Sequence, residues 1–260
     1  TTGDNNTALG RLALHNNTTA NNNTAVGKSA LFANTTGGQN VAVGGVALDA
    51  NTTGNENTAV GYGSLSGNTT ASGNTALGWY SMFGTTTGYA NVAIGMSALQ
   101  AQTTGYENVA LGHQALDALT TGSLNTAVGR AAGGAVTTGQ HNTFVGYTTG
   151  DATTTTSFNT AIGTAALSGV SGDANTAIGH ATITATTGTL NTAVGVNAGY
   201  ALTSGSNNLF LGQDAGRAGS PGGEITTGSN AIVLGDENIG DAHIQVDWTV
   251  ASDARDKTDF

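Results

Sequence analysis

A five-residue block, Asn-Thr-Ala-Val-Gly or a close variant, returns along the chain in fixed register. The glycine that closes it falls at Gly10, Gly27, Gly44, Gly61, Gly78, Gly95, Gly112, Gly129, Gly146 and Gly163, always 17 residues apart. Two steps of 16 reach Gly179 and Gly195, one of 17 reaches Gly212, and a coil carrying the insertion RAGSPGGEI ends at Gly235. Such a period marks a stacked repeat, in which each copy buries its surface against the next. The consensus reads N-T-A-V-G-x-x-A-L-x-x-x-T-T-G-x-x. Its first part is short, β-branched and alternating, which predicts a strand. The Thr is replaced by Val at Val41, Val92 and Val109, which reads as a sheltered position. The branched positions then share one face, and that face is expected toward the interior of the coil. Ala alternates to the other face, which is expected to meet a neighbouring rod at close range.

The Ala-Leu half is the return segment, either a second short strand or one helical turn; two strands per coil are expected. The Thr-Thr-Gly stretch makes the turn. The fold expected is therefore all-β, a parallel β-solenoid of about 14 coils with a 17-residue repeat. Coils stacked roughly 4.8 Å apart give a rod of about 65 Å. One coil of this size encloses a thin core, so several rods packed together are expected.

Composition sharpens this picture. The 260 residues include 41 glycines, one proline and no cysteine, and only 8% are charged. In a solenoid each column repeats every coil, and like charges at that spacing repel by roughly 1 kcal/mol in water. Asn and Thr instead donate and accept along a ladder. A net charge of −10 argues against nucleic acid or an anionic membrane as partner. No apolar run is long enough for a membrane span, and no signal peptide is apparent. The chain begins within a repeat and without Met, which reads as a segment of something longer.

The blocks NTAVGKSAL, NVAVGGVAL and NVALGHQAL resemble the head repeats of trimeric autotransporter adhesins and, more closely, related repeats in bacteriophage tail fibres and tail spikes. The resemblance spans residues 1–235. It implies a left-handed β-roll assembled as a homotrimeric rod. Residues 236–251 then form a connecting segment, in which AHIQVDWTV alternates like a strand. Residues 252–260 lie in ASDARDKTDF, which resembles the opening of the intramolecular chaperone domain of phage tail spikes and fibres. That family's self-cleavage motif falls on Ser252, Asp253 and Lys257. Cleavage at the Ser leaves a product ending near Ala251, and no activity is expected of so short a piece of the chaperone. The same resemblance implies other tail proteins and a host-surface receptor, such as a glycan, as partners, and a place on the virion tail. A bacterial surface adhesin head is the alternative, and an ice-binding solenoid with Thr ladders is an alternative of another class.

No catalytic constellation, cofactor motif or metal-ligand spacing emerges, and an enzyme is not expected. His15, His113, His141, His180 and His243 are scattered along the rod and read as surface residues. Asp236, Glu237 and Asp241 lack the spacing of a calcium loop. One column stands out, the residue after each anchor glycine. It carries Arg11, Lys28, Tyr62, Trp79, His113, Arg130, Tyr147 and His180, including half of the six Lys and Arg residues. Such a stripe suits sugar rings or acidic glycans. Packing of varied side chains against a neighbouring rod explains it equally simply, and is the favoured reading.

Overall fold

The computed structural model describes residues 2–184 and 186–240. It is an all-β parallel solenoid built on one short strand per coil. The strands are β1 (Thr7–Leu9), β2 (Thr24–Val26), β3 (Val41–Val43), β4 (Thr58–Val60), β5 (Thr75–Leu77), β6 (Val92–Ile94), β7 (Val109–Leu111), β8 (Thr126–Val128), β9 (Thr143–Val145), β10 (Thr160–Ile162), β11 (Thr176–Ile178), β12 (Thr192–Val194), β13 (Leu209–Leu211) and β14 (Ile232–Leu234). They form one 14-stranded sheet in strict sequence order. Every pair is parallel and in register, Ala8 beside Ala25 and Ala25 beside Ala42.

Among the described residues no coil carries the expected second strand. Outside the named strands, the bridge recorded is Ser171 with Thr186. The return segment is a chain of turns with two residues in the left-handed region, for example Ser97 (φ 56°) and Leu99 (φ 51°). No strand accommodates such residues. Leu99 is held there from both sides: its amide donates to Ala115 O at 3.0 Å, and its side chain is fully buried.

The two faces of the strand are also the reverse of the expectation. Ala25, Ala42, Ala59 and their successors are fully buried inside the coil. The branched residues on either side point outward and are half-buried or exposed. The reason lies in the return segment. Its leucines, such as Leu31, Leu48 and Leu116, fill the narrow interior from the opposite wall, leaving room for only a methyl on the strand. Small size therefore marks a tight interior here, and not contact with another rod.

Two rungs test that account. Phe144 in β9 and Phe210 in β13 occupy the Ala column, and both are fully buried. Beside them the Leu column reads Gly133 and Gly150, and Gly199 and Gly216. A Cβ on Gly133 would lie 2.8 Å from Phe144 Cδ2, and one on Gly150 would collide with the same ring. The large residue has moved from one wall to the other.

Asparagine closes the core at the start of each strand. Asn108 shows the pattern. Its amide nitrogen donates to Asn91 Oδ1 at 2.9 Å, and its Nδ2 donates to Gly122 O at 2.9 Å. Its own Oδ1 accepts from the Asn125 amide at 3.0 Å. Each net gain is about 1 kcal/mol, but a buried group left unpaired costs about 1–3 kcal/mol, so the column tolerates little else. A second buried ladder, Asn17, Asn34, Asn51 and Asn68, runs alongside. It stops where Thr85 follows. The anchor glycine has its own constraint: at Gly95 φ is +133°, and a Cβ would come 2.5 Å from Gly112 O.

Candidate interaction surface

Since Ala and Asn turn inward, the residues between them turn outward. The third position of every strand is Leu, Val or Ile, without exception over fourteen rungs. Leu77, Leu111, Ile162 and Leu234 are among those classed as exposed. The first position is Thr in nine strands and Val, Leu or Ile in the others. The outer face of the sheet is thus a continuous aliphatic column beside a column of Thr and aliphatics. Monomeric proteins rarely leave a contiguous apolar strip of this extent uncovered.

Two further columns flank it. The residue before each ladder Asn has a left-handed φ, as at Leu124 (62°), His141 (56°) and Phe158 (62°). It shares the outward side of the strand: Leu190 with Thr192, Asn207 with Leu209 and Asn230 with Ile232 line one surface groove. Phe158 and Leu190 are 62% and 60% exposed, too much apolar surface for a satisfied position. The sequence reading passed over this column, although its place two residues before the strand's first outward position was a usable signal.

The second flank is the stripe after the anchor glycine. Arg11, Lys28, Tyr62, Trp79, Arg130, Tyr147 and His180 are all exposed, and His113 is partly so. Stacking brings neighbours into contact. Arg130 Nη1 donates to Tyr147 Oη at 3.1 Å, with the guanidinium 5.4 Å from the ring centre. Tyr80 and Phe83, absent from the sequence reading, enlarge the aromatic cluster. The Tyr80 ring lies 4.1 Å from Trp79, 4.8 Å from Phe83 and 5.7 Å from Tyr62 between centroids.

The histidines described sit apart. His15 stacks on Phe32 and His141 on Phe158, at 5.5 and 5.0 Å. Among the described residues no group of three His, Cys, Asp or Glu is placed to hold a metal. Near the end of the repeats the Asp214 carboxylate lies below the usual range. Its main cause is the Asn197 amide donating at 2.9 Å, followed by Arg217 at 2.8 Å and Gln213 at 3.2 Å. Burial raises Asp117, partly offset by backbone hydrogen bonds and by His113. Asp236 caps a local turn by accepting from the Asn238 amide at 2.9 Å. Ser252, Asp253 and Lys257, with Asp241, His243 and the AHIQVDWTV segment, lie outside the described residues.

No protein family model, curated protein or solved structure matches the chain.

Proposed function

We propose that this chain is the shaft of a homotrimeric, left-handed β-roll fibre, of the kind borne on phage tails, that reaches toward and attaches to a host surface. The observation that carries the proposal is the unbroken outward aliphatic column of fourteen rungs. Three such faces turned toward a common axis bury that column along the whole rod. The contact runs through the branched face of the strands, since the Ala face is spent inside each coil. The N-T-A-V-G blocks and their likeness to fibre repeats support the same reading. Function then resides in reach, stiffness and display.

One observation favours a second reading. Outward Thr shares the strand with an outward aliphatic residue in nine of the fourteen strands, five of them consecutive from β8 to β12, a surface of hydroxyls and methyls suited to ordering water as ice. In the Thr-Thr turns the first Thr is occupied, with Thr35, Thr52 and Thr69 donating their hydroxyls to the carbonyl of the next coil, while the second, as at Thr36 and Thr53, is exposed. Both readings use one face, so the native mass separates them. Light scattering after size exclusion should give about three times 25.5 kDa. A folded monomer that slows ice growth would overturn the fibre proposal in favour of the solenoid that binds ice.

A further inference from the structure

The chain has two Trp, six Tyr and six Phe, and four of these rings meet at one place on the rod. Tyr62, Trp79 and Phe83 are 52%, 49% and 41% exposed around Tyr80, which is partly buried between them. We propose that these rings form a platform for a neutral saccharide, with the Asp49 carboxylate as its polar anchor. The proposal rests on the reading above in taking that saccharide from a host surface.

The platform is built from the backbone up. A Cβ on Gly63 would collide with the Tyr80 ring, and one on Gly45 would lie 3.2 Å from Tyr62 Cδ2. Other coils carry Val46 and Ser97 where Gly63 stands, and Lys28 and Met96 where Gly45 stands. A glycine is thus set one coil ahead of each tyrosine, and each ring lies along the rod over bare backbone. Trp79 and Phe83 then close on Tyr80 at 4.1 and 4.8 Å. Rings fixed in advance lose little freedom when a ligand arrives.

The chemistry of the patch selects its occupant. A pyranose presents C–H bonds on one face and hydroxyls at its rim. The C–H face is attracted to the negative face of an aromatic ring, and the hydroxyls need an acceptor close by. In the column of Phe83 the two preceding coils carry Ser66 and Asp49, and the Gly67 amide donates to Phe83 O at 2.9 Å. Ser66 Oγ donates to Asp49 Oδ1 at 2.6 Å, which orients the carboxylate and leaves its second oxygen to accept from a ligand. Asp49 and a net charge of −10 disfavour an acidic sugar.

Extent argues against a protein in this place. The three coils from Asp49 to Phe83 cover about 10 Å of rod. That is short for the roughly 800 Å² a side of a stable protein contact, and it suits a short saccharide. The rings also lie on the turn and the return segment rather than on the strands, so burying the aliphatic column does not by itself cover them.

The test applies the full chain to immobilised neutral and acidic oligosaccharides, with native mass measured in parallel. Neutral members should bind and acidic ones should not. Trp79→Ala and Phe83→Ala should each weaken binding about tenfold or more, as for a ring central to a contact. Gly63→Ser probes the seat. Ser29 and Ser97 stand in the same column at φ 58° and 56°, so the coil accepts serine there, while the added side chain displaces the Tyr80 ring. Binding should fall with the native mass unchanged. A chain that binds no neutral saccharide, or whose binding survives the loss of Trp79 and Phe83, overturns the platform. So does a Trp79→Ala variant that falls from trimer to monomer, because its ring then belongs to a contact between chains. A monomeric parent overturns the fibre reading instead, and the panel still decides the platform.

Discussion

The relocation of bulk at Phe144 gives a sharp test of what fills the rod. Phe144→Ala deletes a fully buried ring whose neighbours across the coil are Gly133 and Gly150, so nothing can close the gap. Buried Phe→Ala changes cost about 3–5 kcal/mol, and the upper half is expected here. Gly150→Leu alone drives a side chain into the ring and costs at least about 1–3 kcal/mol in overpacking. The combination Phe144→Ala, Gly133→Leu and Gly150→Leu recreates the arrangement of Leu116 and Leu167 on either side. Those leucines have φ of 51° and 52°, close to the 61° and 63° of the two glycines, so the backbone already suits Leu. The triple variant should return to within about 1.5 kcal/mol of the parent, far from the sum of its parts. In a stacked repeat the effect is local. It is therefore read best by hydrogen exchange at the Gly133 and Gly150 amides, which donate to Thr149 O and Ala166 O at 2.8 and 3.0 Å, alongside urea unfolding. Additive losses in the triple variant would refute the exchange of volume between the two walls.

Two other perturbations probe the polar columns. The second Asn ladder ends at Thr85, leaving Asn68 Oδ1 and Thr85 Oγ1 buried without partners; Thr85→Asn extends the ladder by one rung and should raise stability by about 1–2 kcal/mol in urea unfolding, whereas a loss would show that the column is not a ladder in energetic terms. Asp214 has a folded pKa below its ordinary value of 3.8, so its stabilising contribution is present above that value and disappears as pH falls through the folded pKa. Asp214→Asn should flatten the acid-induced rise in exchange at the Gly199 amide, which donates to Ala215 O at 2.9 Å, and an unchanged acid limb would sever that link.

The period, the strand and the turn were legible in the sequence because each is a local pattern, repeated fourteen times. The direction of the strand faces was not. Ala opposite Thr and Val is compatible with either orientation until the return segment is known, and Leu31 or Leu99 in a left-handed conformation is hard to expect from residue type. Phe144 and Phe210 held the missing information. An aromatic ring in an Ala column, accompanied by Gly in the Leu column on both sides, is the mark of an interior that conserves volume. It could not mark a flat contact between rods. The stripe from Arg11 to His180 was visible as a column, yet half of the surface it belongs to, including Phe158 and Leu190, was overlooked.

The distribution of uniformity carries a physical meaning. The inward columns barely vary, because each must satisfy the same hydrogen bonds or fill the same gap on every rung. Outward columns that vary from Gly to Trp are under no such demand from their own coil. A rod uniform both inside and out would pack against its copies equally well after a slide of one rung, about 4.8 Å, and a long fibre would lock into mixed registers. On the trimeric reading, the aliphatic column would supply adhesion without register, since Val, Leu and Ile are nearly interchangeable along it. On the same reading, any register between chains has to come from the variable columns beside the aliphatic one, since the aliphatic column itself is nearly uniform.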